Sequence, residues 1–249
     1  MFFARLPLEV RREVYGYVFG GGETVHLTMG AKKRFGHFVC CDAETRGDDV
    51  VVVVGGSSRE CTCKVLVGGG REGRRRLASE CVDILRVCRR MYTETIPYLY
   101  TQNAFSLLHI THLLYLPSRL PSPRIKTIRI LRLRWGIRAL PYLRRGPSKH
   151  LAYPEDTSNW ARAWSILAGM QSLRHLYVVL VDPSRDAMWE RSWKELESFL
   201  LEPVKGVVVP SRFELMLPYA SCSTSYDMGQ SPVRLMKPDG EEGEGDGEE

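Results

Sequence analysis

His26, His37, Cys40, Cys41, Cys61 and Cys63 crowd the first quarter of the chain, and imidazole and thiolate are the donors that zinc prefers. Structural zinc sites close on Cys-x2-Cys pairs, whereas this set offers adjacent cysteines and a Cys-x-Cys, so buried free thiols are expected and no metal. His109 and His112 stand three apart on a predicted helix without the glutamate or third ligand of a zincin-type site. They read as packed or solvent-facing side chains. Gly68 to Gly73, GGGREG, matches the Gly-x-Gly-x-x-Gly of a phosphate-cradling loop. A dinucleotide site needs an acid on a second parallel strand roughly 20 residues on, and that position falls near Glu94 on a predicted helix. Arg74, Arg75 and Arg76 would also oppose the dipole of the helix that follows, so the tract is read as a flexible loop and no cofactor is expected. There is no Gly-x-Ser-x-Gly elbow and no Gly-x4-Gly-Lys-Ser/Thr loop. Cys88 falls on the apolar side of a predicted helix, where a small hydrophobe is expected. Catalysis is the least supported class, and the chain is not expected to be an enzyme.

Charge leaves a second reading open. Basic clusters occur at Lys32-Lys33-Arg34, at Arg71 to Arg76 and along Arg124, Lys126, Arg129, Arg132, Arg134 and Arg138. A nucleic-acid-binding module needs such charges on one face, and strand alternation puts Arg129 opposite Arg132 and Arg134. The clusters therefore favour loop solvation, or a nuclear-localisation signal at Arg71 to Arg76, over nucleic acid. The formal charge of +6 conceals an asymmetry, because residues 239–249 hold seven acids and no base. Without them the remainder stands at +13 and attracts anions at low salt. The acidic segment itself cannot bury enough apolar surface to fold, and is expected to keep the chain soluble or to shield its basic body. Seven cysteines without a regular framework imply reduced thiols. No run reaches the roughly 18 apolar residues of a membrane span, and charges interrupt the opening MFFARLPLEVRR. An intracellular protein of cytoplasm or nucleus is expected, away from membranes.

The elements that position these residues begin with a helix at Pro7, with Glu9 in its first turn and an end at Gly20 to Gly22. Leu6, Val10, Val14 and Val18 follow one another at i+4 with Tyr17 beside them, which predicts the packed face, and Arg11, Arg12 and Glu13 are predicted to point outward. From Glu23 to Arg76, glycine and charge surround short β-rich runs at Val25 to Leu27, Phe35 to Cys41, Val50 to Val54 and Lys64 to Val67. These predict a small antiparallel sheet with long loops. A second helix is predicted from near Leu77, with Cys81, Ile84, Leu85, Cys88, Met91 and Tyr92 on one side, limited by Pro97. Helix then strand recurs three times beyond Phe105: Leu107 to Leu116 before Ile125 to Leu133, Trp160 to Gly169 before Leu173 to Val181, and Trp193 to Leu201 before Val207 to Val209 and Phe213 to Leu217. That alternation implies a mainly parallel sheet with crossover helices. IKTIRILRL and LRHLYVVLV resemble strand segments of leucine-rich repeats at irregular spacing.

Two segments carry a more specific pattern. Phe2 to Gly20 contains Leu6-Pro7-Leu8-Glu9-Val10-Arg11 with Tyr15, and Asp83 to Phe105 contains Cys88-Arg89, Tyr92, Glu94, Pro97, Leu99, Tyr100, Asn103 and Phe105. Together they resemble an F-box whose helices are separated by an insert of more than fifty residues, and more closely a filamentous-fungal F-box-like family of unknown function. The resemblance covers Phe2 to about Leu133. It implies a helical unit whose apolar positions, Leu6, Pro7, Val10, Val14 and Val18 in the first segment and Leu85, Val87, Cys88 and Tyr92 in the second, bind a Skp-type adaptor of a cullin-RING ubiquitin ligase. The alternative is that Leu6, Val14, Cys88 and Tyr92 pack on one another as core.

The expected organisation is thus a mixed α/β (α+β) chain: an interrupted F-box-like unit over residues 1–105 with a β insert at 23–76, a helix–strand region over 106–218, and a disordered acidic tail over 219–249. Protein interaction is the expected function, as a substrate receptor that joins an adaptor to a protein substrate of unknown identity. A basic nucleic-acid-binding module and a structural domain without adaptor binding are the alternatives.

Overall fold

In the computed structural model, residues 2–19, 21–40, 79–146, 150–184 and 186–238 are described, and they build a mixed α/β fold on a seven-stranded sheet. The strands are β1 (Thr24–Met29), β2 (Phe35–Val39), β3 (Ala104–Leu107), β4 (Ile130–Gly136), β5 (His175–Val181), β6 (Arg212–Met216) and β7 (Val233–Met236). Their order is β2-β1-β3-β4-β5-β6-β7, antiparallel only between β1 and β2. From β1 onward, spatial order follows chain order. Successive crossovers of one hand in one direction stack their helices on a single face. Those helices are α5 (Ile110–Arg119), α7 (Pro154–Ala168) and α8 (Glu190–Leu201), with the single-turn α6 (Ser122–Ile125) ahead of β4.

The core lies between that helical layer and the near face of the sheet. Along β4, Leu131, Leu133 and Trp135 are buried while Ile130, Arg132 and Arg134 alternate with them on the far face. Leu176, Val178, Leu180, Phe213 and Leu215 extend the apolar surface, and Leu113, Leu116, Trp160, Trp164, Trp193 and Leu200 cover it. The Trp135 and Trp160 rings sit 4.5 Å apart. Buried indole N–H groups need acceptors: Trp160 donates to the Leu200 carbonyl at 3.0 Å, and Trp193 donates to Glu197 at 3.3 Å.

Five expectations are corrected. The β1–β2 hairpin is not a separate inserted sheet, because β1 also pairs in parallel with β3, which leaves β2 as the edge strand of the main sheet; Val50 to Val54, Lys64 to Val67 and Gly68 to Gly73 lie outside the described residues. The second helix is two helices, α3 (Ser79–Val87) and α4 (Arg89–Thr101). They break at Cys88, whose backbone is extended and whose sulfur accepts the Met91 N–H at 3.4 Å, capping α4. Pro97 sits inside α4 and does not end it. Val207 to Val209 lies outside the strands, and residues 219–238 do not belong to the acidic tail: Cys222 and Met228 are buried, and β7 pairs with β6.

The hairpin turn holds Lys32 and Lys33 at φ values of 60° and 55°, a left-handed conformation that crowds a side chain's Cβ. Lys33 is tied to Tyr115 by a hydrogen bond to its hydroxyl and by an ammonium 4.4 Å from the ring centroid, whereas Lys32 is exposed and makes no such contact. Lys32→Gly is therefore expected to stabilise the fold by about 1 kcal/mol, read as a higher midpoint in denaturant, despite the extra freedom glycine gives the unfolded chain.

Candidate interaction surface

The N-terminal helices are α1 (Phe2–Arg5) and α2 (Leu8–Phe19), and α2 docks on α4 through Arg11, Tyr15 and Phe19, an i, i+4, i+8 face. That is not the face expected from apolar spacing. Arg11, predicted to point outward, is buried because α4 presents Glu94 opposite it. The Arg11 guanidinium donates twice to the Glu94 carboxylate, Nε to Oε2 at 2.9 Å and Nη2 to Oε1 at 3.1 Å, and its remaining nitrogen donates to the Leu6 and Phe3 carbonyls. Tyr15 donates its hydroxyl to Glu94 Oε2 at 2.9 Å, and Arg90 donates to Oε1 at 2.9 Å. Phe3 lies against both guanidinium groups, at 5.4 Å from Arg11 and 4.7 Å from Arg90. A bidentate guanidinium with two further donors favours the ionised acid, so Arg11 first, then Arg90 and Tyr15, hold the Glu94 carboxyl at about 2. Burial, reinforced by Glu94, pushes the Tyr15 hydroxyl up to about 12.

Asn103 completes the joint. Its amide donates to the Phe19 and Leu99 carbonyls at 2.9 and 3.0 Å, and its oxygen accepts the Glu23 N–H at 3.2 Å, so one buried side chain ties the ends of α2 and α4 to the start of the sheet. The polar residues of the two sequence patterns, Arg11, Tyr15, Glu94 and Asn103, thus hold the helices together.

The residues expected to bind a partner fall into two groups. Leu6, Val18 and Leu85 are half-buried, with Val18 and Leu85 packed on the cluster of Tyr15, Phe19 and Met91. Pro7, Val10, Val14, Val87 and Tyr92 are exposed. Val10 is 41%, Val14 38% and Val87 66% accessible, and Tyr17 reaches 92%. Val10, Val14 and Tyr17 stand at i, i+4 and i+7, one stripe along α2 beside its docked face. Tyr92 lies under the Arg124 guanidinium at 5.3 Å. The packing of Val14, Cys88 and Tyr92 as core does not occur, since all three are exposed.

Elsewhere, the described residues hold no group of three His, Cys, Asp or Glu side chains able to bind a metal ion. His109 caps α5 by accepting the Thr111 N–H at 3.1 Å, and His112 is buried against Phe35. Burial, then the neighbouring His109, lowers the His112 imidazole to about 4. A neutral buried imidazole stabilises the fold fully above its ordinary value of 6.5, and that contribution is lost as pH falls from 6.5 towards 4. Denaturation titrated across this window should show stability falling with pH, and His112→Leu should flatten that slope.

Sequence reasoning did not align the far face of the sheet. Register brings Arg132, Tyr177, Glu214 and Arg234 into one row across β4 to β7, with Arg212 in the adjoining row. Alternation within each strand was visible, but pairing between parallel strands has no local signal.

The class so defined is a mixed α/β domain in which paired helices are sewn to each other by a buried ion pair and tied by Asn103 to the start of a one-sided, largely parallel sheet. The chain belongs to the family described as a domain of unknown function, DUF7730, which matches residues 1–238. No curated protein and no solved structure matches it. No helix among the described residues is long and apolar enough to cross a membrane.

Proposed function

We propose that this domain is a protein-interaction module whose α2 stripe docks into the groove of a Skp-type adaptor, making the chain a substrate receptor of a cullin-RING ubiquitin ligase. The observation that carries this reading is that α2 is fixed to α4 by Arg11, Tyr15 and Phe19 while Val10, Val14 and Tyr17 remain exposed on its outside. Apolar anchors at i, i+4 and i+7 are the form that helix-in-groove recognition takes, and a few of them carry most of the affinity. The F-box-like pattern of the two segments selects the adaptor as occupant. Binding of a purified Skp-type adaptor to the full chain, lost in Val10→Asp, supports the reading; absence of binding by the wild-type chain overturns it.

The competing reading is a basic nucleic-acid-binding module, favoured by the four arginines Arg132, Arg134, Arg212 and Arg234 on the far face. Salt separates the two, because phosphate contacts weaken steeply with ionic strength while an apolar stripe does not.

A further inference from the structure

We infer that the far face of the sheet is the docking surface of the chain's own acidic segment, residues 239–249. Paired positions in a parallel sheet share a face, so register places Arg132, Arg212 and Arg234 together with Arg134 on the side away from α5, α7 and α8. Glu214 is the carboxylate on these strands, and Arg212 occupies it at 2.8 Å. Arg132 and Arg234 pair with no carboxylate among the described residues and lie three strand spacings apart, roughly 14 Å. The row therefore carries more positive charge than its own acid can balance.

The segment is placed to answer it. β7 ends at Met236, whose register partners Met216 and Val179 lead to Arg134 in the same row, and the acids begin at Asp239. Eleven residues reach roughly 35 Å when extended, more than twice the width from β7 to β4. Asp239, Glu241, Glu242, Glu244, Asp246, Glu248 and Glu249 are spaced by glycines, so the segment can follow an uneven surface without side-chain conflict. The family match ends at residue 238, which makes the segment an addition to the domain. Each exposed ion pair contributes little alone, but a tethered segment acts at an effective concentration on the order of 1 mM. The segment then screens the arginine row from other anions.

The test uses a fluorescent peptide of residues 239–249 and the full chain with its seven tail acids changed to amides (Asp239→Asn, Glu241→Gln, Glu242→Gln, Glu244→Gln, Asp246→Asn, Glu248→Gln, Glu249→Gln). At low ionic strength the amide chain should bind the peptide about ten-fold more tightly than the wild-type chain, whose own segment competes for the face at that effective concentration. Adding Arg132→Gln and Arg234→Gln should abolish binding, and Arg132→Lys with Arg234→Lys should retain it. Equal affinity for wild-type and amide chains overturns the proposal, as does binding that survives the glutamine pair. So does an amide chain that takes a mixed-sequence DNA duplex more tightly than the peptide at the same salt, which would assign the face to nucleic acid.

Discussion

Glu94→Ala is expected to lower the melting temperature by about 10 °C, because it strands the Arg11 guanidinium in the joint between α2 and α4. Arg11→Met should cost less. Glu94 would still accept from Arg90 and Tyr15, and its side chain is partly open to water, whereas Arg11 is nearly enclosed. The double variant Arg11→Met with Glu94→Leu should recover part of the loss, since replacing both members of a buried pair by apolar groups removes the stranded charge. The same pair sets a pH dependence. A carboxyl held at about 2 in the folded chain, against 4.5 as its ordinary value, contributes stability that is complete above 4.5 and is lost as pH falls from there towards 2. Glu94→Gln should remove that slope. A Glu94→Ala chain that melts within 2 °C of wild type, on a scale of roughly 2–4 °C per kcal/mol, would show that the network is not what joins the helices.

The stripe variants have the opposite signature. Val10→Asp and Val14→Asp should leave the melting temperature nearly unchanged, because both side chains already face water, while adaptor affinity falls by about a hundred-fold. Tyr17→Ser should do the same more weakly, since so exposed a ring loses little water-accessible area unless the partner covers it. Phe19→Asp is the contrasting control: that side chain is buried, so the change should unfold the helical unit and lose adaptor binding and stability together. Thermal melts and a titration on the same preparations separate the two behaviours.

The alternation of helices and strands beyond Phe105 was legible, and so was the parallel sheet it implies, because Ile130 to Trp135 and His175 to Val181 carry apolar residues at the spacing of strands covered by helices. β3 and β7 were missed, being four residues each and held by neighbours on the sheet. The joining of the β1–β2 hairpin to that sheet was hidden as well, since its partner β3 lies more than sixty positions away in the chain. The largest misreading was the face of α2. Hydrophobic spacing favoured Leu6, Val10, Val14 and Val18, yet Arg11 and Tyr15 are the residues inside, because a paired guanidinium and a hydrogen-bonded phenol can be buried when one carboxylate serves both. The clue was present in the two segments themselves, whose resemblance rests on Arg11, Tyr15 and Glu94 as well as on the apolar positions. The outward placement of Val10, Val14, Val87 and Tyr92 needed the structure, since an apolar side chain on a helix is ordinarily core.

The most direct measurement of the central claim is a calorimetric titration of a purified Skp-type adaptor into the wild-type chain and into Val14→Asp at two salt concentrations. The predicted result is wild-type binding with a negative heat-capacity change and little salt dependence, and loss of binding in a Val14→Asp chain that melts like wild type. No heat of binding to the wild-type chain at any temperature, or equal affinity in both chains, would contradict the assignment of the α2 stripe as the interaction surface.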